Sequence, residues 1–220
     1  MFNSFVKVID GEYQLTTVGT ITLCILLGLI LVILTLCIKK KGSNKIATKQ
    51  LVFCAVAMAL GLITSYMEIY SFPFGGSVTL FSMLFVCLIG YLYGAKVSIP
   101  VAIAYGILQF IIKPYIYHPV QVLFDYLLAF GALGLSGFFY KCKNGLVKGY
   151  IAGIIGRWIF TSISGFVFFS EYAWPGWNPL PYTLAYNGAY IFTEGVVTIV
   201  ILLLPVVAHG FQQVKKMALN

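Results

Sequence analysis

Three ionisable residues, Asp125, Arg157 and Glu194, fall inside long apolar stretches of this chain. A charge at the centre of a bilayer costs roughly 2.5–3.5 kcal/mol on insertion scales, so each must face a partner or a cavity. Asp125 lies about five residues from the outer end of its stretch, a depth of about 7 Å at 1.5 Å per residue. Arg157 and Glu194 sit near the middles of consecutive, antiparallel stretches. They either pair with each other or leave Arg157 to serve a ligand, and the sequence leaves both readings open. Asp125 has no cationic partner at its depth, which leaves room for a ligand cation.

Other polar and aromatic residues gather at the same outer level. Gln121 and Tyr126 flank Asp125. Ser164, Gly165, Phe169 and Tyr172 end one stretch, and Tyr182, Tyr186 and Asn187 begin another. Asn187, Tyr190 and Glu194 follow i, i+3, i+7 spacing and share a helix face. Gly165 would let a ligand approach the backbone closely. Aromatic rings at this level also form interfacial belts, and Trp174 and Trp177 fit that role. A belt has no use for the carboxylate of Asp125 or the amide of Asn187. Together these groups suit a small, flat, cationic ligand, bound by charge pairing, ring stacking and cation–π contact.

The elements that must position these residues are transmembrane helices. The chain has 220 residues, 60% hydrophobic and only 9% charged, with a mean hydropathy of +0.96. A soluble domain carries about 25% charged residues. Long unbroken apolar runs exclude a β-barrel, whose strands alternate. The fold class is therefore an all-α integral membrane protein. Residues 18–38 form an uncharged stretch too long for a signal peptide's apolar core and are expected to be a retained helix. Six further runs follow at about 51–70, 78–93, 97–112, 120–139, 146–169 and 181–207, separated by Gly- and Pro-rich breaks. The expected organisation is an extracellular segment 1–17, an extra helix 18–38, a basic cytoplasmic linker 39–50, a six-helix domain 51–207 and a cytoplasmic tail 208–220.

Orientation follows from lysine placement. With the 39–50 linker inside, eleven lysines (39, 40, 41, 45, 49, 96, 141, 143, 148, 215 and 216) lie on the cytoplasmic side and only Lys7 and Lys113 outside. The net charge of +8 thus reflects topology and contact with anionic lipid, not nucleic-acid binding. The expected location is a bacterial plasma membrane, crossed several times, with the N-terminus outside and the C-terminus inside. Five cysteines, odd in number and mostly within apolar runs, read as small core residues. No metal-ligand cluster, P-loop, HExxH or GxSxG is present, so neither an enzyme nor an ATP-binding chain is expected. Ala55 and Ala59 have small-xxx-small spacing, as do Gly149 and Gly153; such faces permit close helix approach.

Several ordered segments resemble a known family. Gly75-Gly76-Ser77-Val78, His118-Pro119-Val120-Gln121-Val122-Leu123-Phe124-Asp125-Tyr126, Ile163-Ser164-Gly165-Phe166-Val167-Phe168-Phe169, Ser170-Glu171-Tyr172-Ala173-Trp174 and Tyr182-Thr183-Leu184-Ala185-Tyr186-Asn187-Gly188 resemble the thiamine-specific substrate-binding (S) components of energy-coupling factor transporters. The resemblance spans about residues 50–207. It implies a six-helix S-component core, preceded here by the extra helix. It also implies capture of thiamine from outside, docking on a transmembrane coupling subunit bound to two ATPase subunits, and no cofactor of its own, the partners holding the ATP. It assigns Asp125, Tyr126, Arg157, Gly165, Phe169, Tyr182, Asn187 and Tyr105 to the ligand, with Gln121 beside them, and Ala55 and Ala59 to the coupling subunit. Thr161 stands where relatives often have a stacking histidine. That departure keeps open a thiamine precursor or another flat vitamin as ligand. The reading from a different class is an intramembrane enzyme or a sensor without transport.

Overall fold

The computed structural model describes residues 6–9, 12–16, 18, 48–73 and 75–220. The expected helix at 18–38 and the linker up to residue 47 lie outside the described residues. At the N-terminus, β1 (Val6–Ile9) and β2 (Glu12–Leu15) pair antiparallel.

Five helices are long and apolar enough to cross a membrane: α1 (Thr48–Ser65), α3 (Ala95–Ile112), α4 (Pro119–Phe139), α5 (Gly145–Phe168) and α6 (Pro179–Leu203). A shorter α2 (Ser82–Tyr93) joins them. Its 12 residues span about 18 Å, less than the apolar core of a bilayer. It is the most enclosed helix, burying Met83, Leu84, Val86, Cys87, Leu88, Ile89 and Leu92. On α1 the buried residues Cys54, Ala57, Gly61 and Ser65 mark one face. Leu51, Val52, Val56, Leu60 and Ile63 are exposed, as an apolar surface facing lipid requires.

The structure corrects three boundaries. The first core run does not continue as helix to Tyr70. Thr64 and Ser65 turn their hydroxyls back onto the helix carbonyls of Leu60, Gly61 and Leu62, a local bond that competes with further helix. The chain then forms a hairpin of β3 (Glu68–Ser71) and β4 (Ser77–Thr79), so Val78 belongs to a strand. The hairpin turns at Pro73 and at Gly75, whose φ of +90° only glycine adopts freely. Finally, the last run breaks at Leu204, before Pro205, which cannot continue the ladder. The tail forms an amphipathic helix, α7 (Pro205–Leu219). Val207, Phe211 and Val214 pack it against the core together with buried Ala218. Lys215 lies over the Tyr91 ring at 4.0 Å and donates to the Tyr140 carbonyl.

Helix α4 lies against α2, α3 and α5. Its turns are irregular: α-helical over Pro119–Val122, widened to π-type over Leu123–Leu128, and tightened to 3₁₀ over Ala132–Phe139. Glycines allow the close approach. A Cβ on Gly106 would lie 2.0 Å from the Tyr126 carbonyl oxygen, and one on Gly149 2.6 Å from that of Ser136. Gly149 and Gly153 therefore serve packing inside the chain, against Ser136 and Leu133.

Candidate functional site

At one end of the bundle a cavity of about 190 Å³ opens between the β3–β4 hairpin, the N-terminus of α2 and helices α3 to α6. Gln121, Asp125, Tyr126, Arg157, Thr161, Gly165, Phe169, Tyr182 and Asn187 all line it. Tyr105 does not. It is 1% exposed, with its hydroxyl accepting from Gln109 Nε2 at 2.5 Å, and it is Gln109 that reaches the wall. Ala55 and Ala59 are exposed on α1, away from the cavity lining.

Asp125 and Tyr126 sit on the π-type turn of α4, a feature that often marks functional positions. Gln121, one turn earlier, donates from Nε2 to Asp125 Oδ2 at 2.5 Å, and its Oε1 accepts from the Tyr117 N–H at 3.1 Å. The helix bearing them starts at His118, whose Nδ1 accepts the Val120 N–H at 3.2 Å. Tyr126 directs its hydroxyl to the loop after α3, donating to Lys113 O at 2.8 Å and accepting from Tyr115 N at 2.9 Å. It thus fixes the cavity rim.

From α5, Arg157 lies over the Phe130 ring at 4.2 Å. Its Nε is buried without a hydrogen-bond partner. The pairing of Arg157 with Glu194 is not formed: among the described residues the ion pair present is Lys113–Glu68. Glu194, 4% exposed, instead accepts from Thr79 Oγ1 at 2.6 Å, Thr79 N at 3.3 Å, Ser82 Oγ at 3.4 Å and Met83 N at 3.1 Å. The carboxylate caps the N-terminus of α2, where free N–H groups favour negative charge. The sequence offered no route to these partners, because Thr79 lies 115 residues away.

Thr161 spends its hydroxyl on the carbonyls of Arg157 and Trp158 in its own helix. Asn187 donates to Thr183 O at 3.0 Å and Thr161 O at 3.3 Å, and accepts the Tyr190 hydroxyl at 2.7 Å. A Cβ on Gly165 would come within 3.1 Å of Asn187 Nδ2, so this glycine also admits the amide. Phe169 stacks on Tyr115 with centroids 6.1 Å apart and planes 23° from parallel. Tyr190 and Glu194 join Asn187 on the wall, as their shared helix face anticipated.

Sequence reasoning missed the hairpin's share of the site. Glu68, Gly76, Ser77 and Thr79 all line the cavity. At the rim, Glu68 forms an ion pair with Lys113 and accepts from Ser71 Oγ at 2.6 Å. The Lys113 ammonium and the Ser71 hydroxyl hold the Glu68 carboxyl below its ordinary value. The charged side chains on the wall are Glu68, Asp125 and Glu194 against Lys113 and Arg157. Three acids and two bases leave a formal charge of −1, which a monovalent cation would balance.

Fold and site together define a mostly helical membrane protein with an internal, aromatic-walled cavity. A family profile described as thiamine transporter protein (Thia_YuaJ) matches residues 51–213, and the chain belongs to that family. A curated relative, thiamine transporter ThiT of Bacillus subtilis (strain 168), is 31% identical over 167 residues, 70% of this chain and 85% of the relative. A solved structure of ThiT from Listeria monocytogenes covers 70% of this chain and 92% of its own, with a TM-score of 0.58. At 23% identity that likeness speaks for the fold.

Proposed function

We propose that the chain is a thiamine-binding S component, which takes up the vitamin from outside and delivers it through partner subunits that hydrolyse ATP. The observation that carries this reading is the cavity's composition: a formal charge of −1, a carboxylate beside an amide, and rings on several sides. Thiamine offers one fixed positive charge on a thiazolium ring and an aminopyrimidine with donors and acceptors. Asp125 supplies the counter-charge to the cation. Asn187 and Tyr182 address the pyrimidine, and Phe169 with Tyr115 offers a stacking surface. Arg157, on the same wall, meets an acceptor group of the ligand.

In this reading the lysine-rich side is cytoplasmic, with the N-terminus outside and the C-terminus inside. Ala55 and Ala59, exposed on α1, are the contact face for a transmembrane coupling subunit carrying two ATPase subunits. Release inside follows reorientation of the bound S component. The protein performs no covalent chemistry.

The test is a thiamine titration of the purified full chain in nanodiscs. A dissociation constant tighter than micromolar supports the reading, and none tighter than that overturns it. Thr161 favours a second reading, a thiamine precursor or another flat vitamin, because position 161 offers a short hydroxyl committed to its own helix and no ring. Mass spectrometry of the ligand that survives purification separates the two. A chain that never co-purifies with coupling and ATPase subunits points to a sensor or an intramembrane enzyme.

A further inference from the structure

The loop between α5 and α6 exposes two tryptophans, Trp174 and Trp177, 57% and 48% accessible. The Trp177 N–H donates to the Trp174 carbonyl at 2.8 Å, and the indoles meet edge to face at 5.4 Å. A membrane belt places rings at the headgroup level; here the rings also continue inward. Trp174 meets Tyr182 at 5.6 Å, Tyr182 meets Tyr186 at 5.8 Å, and Tyr186 meets Tyr190 at 6.2 Å. The three tyrosines line the cavity and the two tryptophans do not. The series thus runs from open surface to cavity wall. Glu171, exposed on the same loop and next in sequence to the cavity-lining Tyr172, adds a carboxylate that is in no ion pair among the described residues.

We propose that Trp174, Trp177 and Glu171 form an encounter site for a flat organic cation, which engages the indoles before passing along the tyrosines into the cavity. The inference rests on the reading of thiamine as ligand. Aromatic faces attract cations, and a carboxylate near the mouth raises the local concentration of a cationic solute. Trp177 is off the cavity wall, so it touches the ligand only in transit. Such a residue cannot alter equilibrium affinity, and its loss must slow entry and exit by the same factor.

Stopped-flow measurement of thiamine binding and release by the full chain in nanodiscs tests this. Trp177→Ala is expected to lower kon and koff each about fivefold, the scale of an exposed cation–π contact, with Kd unchanged. Trp177→Phe keeps a ring and is expected to restore the rates. Glu171→Gln is expected to slow association and flatten its salt dependence. A wild-type kon in Trp177→Ala, or a raised Kd with kon intact, overturns the encounter site. Should Trp177→Ala fail to fold, Glu171→Gln decides: an unchanged kon and salt dependence overturns the site. A wild-type chain that binds no thiamine removes the ligand reading and this inference with it, whereas a binding wild type with indifferent variants removes only the encounter site.

Discussion

Asp125 is held for its task by a neighbour one turn away. Gln121 gives it a 2.5 Å hydrogen bond and leaves its charge uncancelled. Replacing Asp125 with Asn keeps the shape and removes the charge, and is expected to weaken thiamine binding by about 1–3 kcal/mol, the scale of a charge-assisted hydrogen bond. Isothermal titration reads this directly, and an unchanged constant removes Asp125 from the site. Glu194 has the opposite character. Both its oxygens accept from backbone N–H groups as well as hydroxyls, so the amide of Glu194→Gln would set an NH₂ against an N–H. The expected result is a lower unfolding temperature, with a loss of about 1–3 kcal/mol, and a smaller effect on affinity. A large affinity loss in a fully stable variant would contradict this. Both residues were legible from sequence as charges out of place. The partner of Glu194 was not, since depth along an apolar run says nothing about which strand or helix end will meet a side chain.

At the scale of elements, the site depends on how closely α3 and α4 approach and on the hairpin across the rim. Gly106→Ala would drive a methyl to 2.0 Å from the Tyr126 carbonyl, displacing the turn that carries Asp125. Overpacking of this kind costs about 1–3 kcal/mol, and thiamine affinity is expected to fall with stability. Gly210→Ala on α7, where a Cβ meets nothing within 4 Å, is expected to leave binding intact and raise stability slightly. Thermal unfolding of the two variants checks the contrast. The hairpin is tied to the rim by Glu68 and Lys113. Because the Glu68 carboxyl is held below its ordinary value by Lys113 and then Ser71, the pair contributes above the ordinary carboxylate pKa of about 4.3 and is lost as pH falls through the lower folded value. Thiamine release is therefore expected to be flat from pH 8 to 5 as far as this pair is concerned, and to quicken in stronger acid. Lys113→Gln would remove the acid step; a step that persists in that variant belongs to another group. The helices were legible from apolar length, whereas the hairpin straddled the Gly- and Pro-rich break between two apolar runs. Its strands are three and four residues long, too short for a period to show.

For the whole molecule, lysine asymmetry gives an expectation that labelling can test. Cys142 is an exposed free thiol between α4 and α5. With the other four cysteines replaced, an impermeant maleimide is expected to spare it in intact cells and to label it after permeabilisation. Labelling from outside would invert the proposed orientation. Docking belongs to this scale too. A bulky residue at Ala55 is expected to leave thiamine binding unchanged while abolishing uptake and co-purification with the coupling subunit. Loss of binding as well would move Ala55 from an interface into the folding core.

The sequence by itself determined the medium, the expected orientation and most of the residues around the cavity. Scarce charge, long apolar runs and lysine bias answer directly to the energetics of crossing a bilayer. Only the tertiary structure decided that Glu194 caps α2 in place of pairing with Arg157, that Tyr105 stands behind the wall, and that the β3–β4 hairpin completes the rim. Those outcomes depend on contacts between residues tens of positions apart. Such contacts are set by glycine-permitted approach and by buried donors competing for one carboxylate, neither of which leaves a periodic trace along the chain.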